Sequence, residues 1–299
     1  MNRTEIYKSG FVALIGTPNA GKSTLLNRIL GQKISITSSK PQTTRNRILG
    51  VRHYDGGQMV FLDTPGIHRA QSKLNQRMVS TATSTLSEVD AILWVLDAST
   101  SAYRDSEELI ASLLLDSSAP VVLCANKADL VSEETLQEAI ERVKSGQRFQ
   151  RILTVSALRG TGIDELLGEI ERLLPEGPPY FPPDMVTDLP ERFLAAEIIR
   201  EKVIRLCSQE IPHAVAVTVD SFKENEAKKM VVIQATIHVE RDSQKGILIG
   251  KEGKMLKRIG SSSRQDLEVL LGVHVYLELW VRVQRDWRKK DRAIEDFGY

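Results

Sequence analysis

The chain has 299 residues, 41% of them hydrophobic and 26% charged, with a net charge of +1. That length suffices for two ordinary domains with their own cores, and the composition excludes a fibrous or disordered chain. No apolar run is long enough to span a bilayer, no signal-peptide stretch opens the chain, and the two cysteines, Cys124 and Cys207, cannot build a disulfide framework or zinc cluster, so a reducing, cytoplasmic setting is expected.

A short apolar run over 11–15 reads as a buried strand, and 24–30 has helical spacing up to the breaker Gly31. Between them lies Gly16-Thr17-Pro18-Asn19-Ala20-Gly21-Lys22-Ser23. Strand, glycine-rich turn and helix in that order are the setting of a phosphate-binding loop. Its glycines let successive N–H groups point inward at an anion, and the helix N-terminus adds its positive end. Lys22 then reaches the outer phosphates of a nucleotide, and the Ser23 hydroxyl can ligate Mg2+, with Thr24, which opens the helix, also expected at the nucleotide.

Residues 31–47 are polar and without periodicity, and a long irregular loop inside a compact domain is usually functional. At this position one threonine must reach Mg2+ and sense the terminal phosphate; Thr44 is the first choice and Thr43 a close second. Two strands, 48–54 and 59–62, flank the hairpin turn Asp55-Gly56-Gly57. The second ends in Asp63-Thr64-Pro65-Gly66, where the Asp can hold the Mg2+ shell and the Gly can offer its N–H to the γ-phosphate. Strands are also expected over 89–96, 120–125 and 152–155, with helices over 106–115 and 162–174. Their alternation predicts a parallel, three-layer α/β sheet.

Asn126-Lys127-Ala128-Asp129 closes the strand at 120–125. The Asn and Lys brace the loop and base, and the Asp carboxylate accepts from the paired donors of guanine. Adenine lacks that donor pair and would leave a carboxylate unpaired, so the motif selects GTP over ATP. Ser156-Ala157-Leu158 can meet the guanine carbonyl through its backbone. These motifs in this order resemble those of the translation-factor-related GTPases, over residues 10–174. The resemblance implies that Lys22, Thr44 and Gly66 serve hydrolysis, that Ser23, Thr44 and Asp63 hold Mg2+, and that the bound nucleotides are GTP and GDP. Two departures stand out. Ile67 occupies the place where Ras-like members carry a water-orienting Gln, so slow intrinsic hydrolysis is expected. Asn19 is either a turn residue or, as in the tRNA-modification GTPases, a K+ ligand.

Residues 175–190 contain a proline-rich run that reads as a stiff, extended connector. The expected division is 1–176, a connector over 177–190, and a second domain over 191–299. In the latter a helix is expected over 191–208, strands over 214–219 and 231–239, a short helix over 243–249, a longer helix after Gly253, and a last strand over 273–281. Between the paired helices stands Gly250-Lys251-Glu252-Gly253, and residues 241–264 carry seven basic against two acidic side chains. This element order resembles a smaller α+β type II KH domain. There two glycines admit a nucleic-acid backbone, while Lys245, Lys254, Lys257, Arg258 and helix N-termini take phosphates, beside Ile249 and an apolar groove for unstacked bases. The tail over 282–290 is an RNA contact or an amphipathic closing helix. The five histidines show no catalytic spacing and are expected at the surface or against a partner.

A GTPase domain joined through a proline-rich connector to a type II KH domain resembles a family of bacterial GTPases of small ribosomal subunit assembly, over essentially the whole chain. The resemblance implies binding to the 3′ region of small-subunit ribosomal RNA, peripheral association with the inner face of the plasma membrane, and a monomer. Two rival readings stay open: an RNA-binding module whose nucleotide pocket only locks a conformation, and a membrane-recruited regulatory GTPase.

Overall fold

A computed structural model of the chain describes residues 7–69, 72–207 and 211–299. Of these, residues up to 37, 44–69 and 75–188 form one compact unit, and 38–43, 72–74 and those from 189 onward a second.

The first unit runs β1 (Lys8–Ile15), α1 (Lys22–Leu30), β2 (Ile48–Tyr54), β3 (Gly57–Asp63), α2 (Lys73–Thr85), β4 (Ala91–Asp97), α3 (Arg104–Leu115), β5 (Val121–Asn126), α4 (Glu133–Lys144), β6 (Phe149–Thr154) and α5 (Ile163–Leu173). Its six strands lie in the order β2-β3-β1-β4-β5-β6, with only β2 antiparallel. Every residue of β3, β4 and β5 is buried, as a parallel sheet covered on both faces requires. This is the expected α/β architecture. The register aligns the strand ends that carry function: Leu14 of β1 pairs with Asp63 of β3, and Asp97 of β4 with Asn126 of β5. The loops after β1, β3, β5 and β6 therefore gather at one edge of the sheet, the C-terminal edge where open α/β sheets bind ligands.

The proline-rich stretch does not stand off as a spacer. It is strapped along the sheet through residue 187. Ser9 donates from its hydroxyl to Pro178 O at 2.6 Å, Val51 N–H to Val186 O at 2.7 Å, and the Thr187 hydroxyl to Leu49 O at 2.7 Å. Gln58 Oε1 accepts the N–H groups of Tyr180 and Phe181, and the rings of Phe11 and Tyr180 stand 5.0 Å apart.

The second unit runs α6 (Glu191–Leu206), α7 (Ile211–Ala214), β7 (Ala216–Asn225), β8 (Met230–Val239), α8 (Asp242–Ile249), α9 (Lys254–Leu271), β9 (His274–Val283) and α10 (Asp291–Asp296). β8 is central, antiparallel to β7 and parallel to β9. The expected α-β-β-α-α-β order is observed, with α7 and α10 added. Ala214 ends α7 and does not open the strand, and Ser208 lies outside the described residues. In the tail, Trp287 is fully buried, donates Nε1–H to Ala214 O at 2.8 Å and packs edge-on against Phe297. One expectation fails in this unit: His238 is not at the surface but buried, its Nε2 2.9 Å from the Thr218 hydroxyl and its ring 4.5 Å from Phe297.

Candidate functional site

The turn between β1 and α1 folds around its own lysine. Lys22 Nζ, buried, donates to Gly16 O at 3.1 Å and Thr17 O at 2.9 Å. Burial lowers its ammonium pKa to about 8, against the raising pull of Asp63. Gly21 has φ +98°, and a Cβ there would lie 2.2 Å from Asn126 Nδ2, so the loop and the β5 end meet only because the side chain is absent. Asn19 sits at φ +63°, a turn conformation that Asn tolerates. Ala20 is buried, and its carbonyl accepts from Asn126 Nδ2 at 2.8 Å. Thr24, half-buried, lies in the first turn of α1.

Beside Lys22 three oxygen donors converge. Ser23 Oγ lies 2.8 Å from Thr44 Oγ1 and donates to Asp63 Oδ2 at 2.6 Å. Ser35 also donates to Asp63 Oδ2, at 2.9 Å. Of the two threonines, Thr44 therefore stands at this cluster; the Thr43 hydroxyl donates instead to Lys40 O at 2.8 Å. Asp63 Oδ1 is buried and has no hydrogen-bond partner among the described residues. Burial raises the Asp63 carboxyl pKa, opposed by Lys22, Ser23 and Ser35. A buried carboxylate with one orphaned oxygen, flanked by two hydroxyls, suits a hard cation such as Mg2+. Thr64 donates its hydroxyl to Leu14 O at 2.7 Å, and Pro65 and Gly66 are buried, Gly66 against Pro18. Ile67, where a water-orienting Gln would stand, is fully buried in the core, while His68 Nδ1–H donates to Gly66 O at 2.9 Å.

The motifs expected to read the base interlock across β5 and β6. Asn126 Oδ1 accepts the Ala157 N–H at 2.9 Å. Lys127, at φ +64°, pairs with Asp97 Oδ2 at 2.5 Å, and Asp97 is fixed by the Ser99 N–H and hydroxyl. Asp129 receives Arg159 Nε at 3.1 Å; a Ser156 hydrogen bond first, and Arg159 after it, hold its carboxyl below the usual range. Arg28, from α1, donates to the carbonyls of Ala157 and Leu158 and so holds the 156–158 loop. The motifs missed Ser35, Arg28, Asp97 and Arg159. Only Asp97 carried a signal, as an acid closing a buried apolar run.

In the second unit, Gly250 and Gly253 have φ +69° and +74°. A Cβ on Gly250 would stand 2.8 Å from Met255 Cβ, whereas one on Gly253 would meet nothing within 4 Å. Gly253 opens onto a groove of about 570 Å3 between α9 (Leu256, Lys257, Gly260, Ser261, Arg264) and β9 (Val275, Tyr276, Leu277, Leu279). Lys254, Lys257 and Arg258 form an adjoining basic surface with Ser261 and Ser262. Lys251 and Glu252 are exposed at the turn, with Glu252 paired to Lys254 at 3.0 Å. Lys245 and Ile249, half-buried on α8, are not among the groove residues. Of the groove's lining residues the sequence singles out Gly253 and Lys257 for RNA but not Leu256, Gly260, Ser261 or the β9 residues, although 253, 256, 257, 260, 261 and 264 share one helical face.

Residues 11–127 match the 50S ribosome-binding GTPase family, and residues 210–288 match the KH domain. GTPase Era of Geotalea uraniireducens is 54% identical over 98% of both chains, and GTPase Era of Geobacter metallireducens 53% identical over the same shares. Among solved structures, a variant of Aquifex aeolicus Era bound to GDP·AlF4− superposes with a TM-score of 0.93 at 44% identity, covering 98% of this chain and 99% of that one. An Era complex with MgGDPNP and nucleotides 1506–1542 of 16S ribosomal RNA superposes with a TM-score of 0.94 at 43% identity and the same coverage. With both functional sites built from its own residues and relatives matching end to end, the chain belongs to the Era family of GTPases.

Proposed function

We propose that this protein binds and hydrolyses GTP with Mg2+ in its first domain and binds the 3′ region of small-subunit ribosomal RNA through its KH groove, in assembly of the small ribosomal subunit. The observation that carries the nucleotide half is the orphaned Asp63 Oδ1 beside Ser23 and Thr44, a cation seat next to a phosphate loop. In this reading Lys22 exchanges its two carbonyl partners for the β- and γ-phosphates, and Gly66 offers its N–H to the γ-phosphate. Ser23, Thr44 and Asp63 hold Mg2+, which neutralises charge developing on the phosphates. Asp129 accepts from the guanine donors, and Arg28 and Asn126 fix the loop that meets the guanine carbonyl. Water attacks the γ-phosphorus, the bond to the bridging oxygen breaks, and GDP and phosphate leave. Because Ile67 has no hydrogen-bonding group and is buried in the core, it cannot orient that water, so intrinsic turnover is slow.

The same fact favours the second reading, a nucleotide pocket that only locks a conformation. Multiple-turnover phosphate release measured with and without RNA decides between them: steady turnover supports the enzyme, and a single burst supports the lock. If Asn19 holds K+ beside the phosphates, turnover is faster in KCl than in NaCl at equal ionic strength, and Asn19→Ala removes the difference. The RNA half rests on the groove beside Gly253. We further assign residues 1–176 to the GTPase domain, 177–190 to the connector and 191–299 to the KH domain, in a monomer working in the cytoplasm. Among the described residues no helix is long and apolar enough to cross a membrane. Peripheral membrane contact through 282–290 has charge to support it but no apolar anchor, since Trp287 is core, and a single weak signal gives only marginal binding.

A further inference from the structure

Asn27 lies one turn past Ser23 on α1, so the two side chains share a face of the helix. Its amide clamps the backbone of the loop that follows. Asn27 Oδ1 accepts the N–H groups of Ile34 and Ser35, each at 3.0 Å, and Nδ2 donates to Ser35 O at 2.7 Å. Residues 34–36 belong to no strand or helix, so a side chain supplies the partners that a ladder would. Ile34 and Ile36 are buried on either side of Ser35, and Ile34 packs on β2, where a Cβ on Gly50 would lie 3.1 Å from its Cδ1. Backbone and flanks together fix Ser35. Its side chain, also buried, donates to Asp63 Oδ2 at 2.9 Å.

Loop anchoring accounts for Asn27, but not for the aim of the Ser35 hydroxyl. A carboxylate oxygen accepts about two hydrogen bonds, and Asp63 Oδ2 takes one from Ser23 at 2.6 Å and one from Ser35. Oδ1, buried and without a partner among the described residues, is the oxygen left over. The two hydroxyls therefore set how the carboxylate is turned, with Oδ2 saturated and Oδ1 offered. We propose that Asn27 and Ser35 are positioning residues for Mg2+: Asn27 fixes Ser35, and Ser35 holds Asp63 so that Oδ1 is the oxygen offered to the cation, directly or through a water. The proposal rests on the reading of Ser23, Thr44 and Asp63 as the cation seat. Groups that orient metal ligands from behind change metal affinity by about 10–100-fold when they are removed. In a buried site a misplaced carboxylate also has no solvent to turn to.

The test uses the full chain and a fluorescent, non-hydrolysable GTP analogue, titrated first in excess EDTA and then over a range of Mg2+. In the wild type, Mg2+ tightens binding of the analogue. Ser35→Ala removes one hydroxyl and no backbone hydrogen bond. It is expected to bind the analogue in EDTA as wild type does, and to need at least about tenfold more Mg2+ for half of the tightening. Asn27→Ala is expected to show the same shift, and the double variant no more than the larger single shift, because Asn27 acts through Ser35. Thermal melting in EDTA checks each fold. Should Asn27→Ala not fold, Asn27→Asp takes its place, since it keeps the acceptor for the two N–H groups and loses the donor to Ser35 O. A folded Ser35→Ala with the wild-type Mg2+ dependence overturns the proposal. So does a loss of analogue affinity as large in EDTA as in Mg2+, which marks a structural role alone. Single shifts that add in the double variant remove Asn27 from the chain of contacts. A wild type whose analogue binding ignores Mg2+ brings down the cation seat itself, and the positioning with it.

Discussion

Asp129 is the side chain proposed to carry base selectivity. Its carboxylate is held below the usual range by Ser156 and then Arg159, and in that proposal it accepts two donors of guanine. Asp129→Asn puts a donor where guanine also donates, so GTP affinity falls by about a hundredfold or more, while xanthosine triphosphate, which presents an acceptor there, gains. Fluorescent-nucleotide titration checks both arms, and unchanged GTP affinity would discard the assignment. His238 makes a different residue-scale prediction. Burial lowers its pKa from 6.5 to about 4, with Asp220 opposing and Arg282 assisting. Its folded pKa is therefore depressed. Below pH 6.5 the unfolded chain takes up a proton that the folded chain refuses, so this contribution to stability is complete above that value and lost as pH falls toward about 4. The melting midpoint of His238→Gln should lose less across this window than that of wild type. The residues proposed for the nucleotide stand out in the sequence because phosphate, Mg2+ and guanine each demand one residue type at a set spacing. Ser35 and Arg28 were not, because their partners Asp63 and Ala157 are distant in sequence and nothing local marks the contact.

At the scale of elements, the turn between α8 and α9 uses its two glycines for unlike reasons. Gly250 is held by packing, with Met255 within 2.8 Å of where a Cβ would stand, whereas Gly253 faces open space. Gly253→Ala meets the left-handed penalty of about 1–2 kcal/mol, and Gly250→Ala, at φ +69° and ψ 176°, a region essentially reserved for glycine, meets one of about 1–3 kcal/mol. Gly250→Ala adds a clash with backbone-anchored atoms, so it should lower the melting midpoint clearly more than Gly253→Ala. Equal shifts in the two variants would show that the turn relaxes around Met255. Strands bounded by motifs were readable, but two helices of the first unit were passed over. α4 had its signals: Ser132 caps Thr135 N–H at 3.3 Å, and Leu136, Ala139, Ile140 and Val143 form its buried face. α2 is rich in Ser and Thr, poor helix formers, and is helical although its propensity is low, with Leu74, Met78 and Ala82 buried; tertiary burial overrides propensity there. The reading of β7 began two residues early because the alternation of small apolar residues continues back through the short helix that ends at Ala214.

For the whole molecule, composition marked where the chain changes character but not how the connector behaves. Proline content predicted stiffness, and the hydrogen bonds that strap residues 178–187 to β1, β2 and β3 leave no trace in composition. What the two-part reading does predict is that a lesion in one part is read separately in the other. Gly253→Asp places a side chain and a negative charge where Gly253 opens onto the groove, with nothing within 4 Å to absorb them. Steric exclusion and charge repulsion then act together against a phosphate backbone, and each exceeds a typical net hydrogen bond of about 1 kcal/mol. Binding of single-stranded RNA should fall at least about tenfold, and any RNA stimulation of hydrolysis should vanish with it. GTP hydrolysis without RNA should stay at the wild-type rate, because Lys22, Ser23, Thr44 and Asp63 belong to the other unit. The left-handed φ of Gly253 makes a thermal melt the first control, since substitution there strains the backbone as well. A well-folded Gly253→Asp that binds RNA as wild type does would reduce the turn to a link between two helices and remove the KH groove from the mechanism.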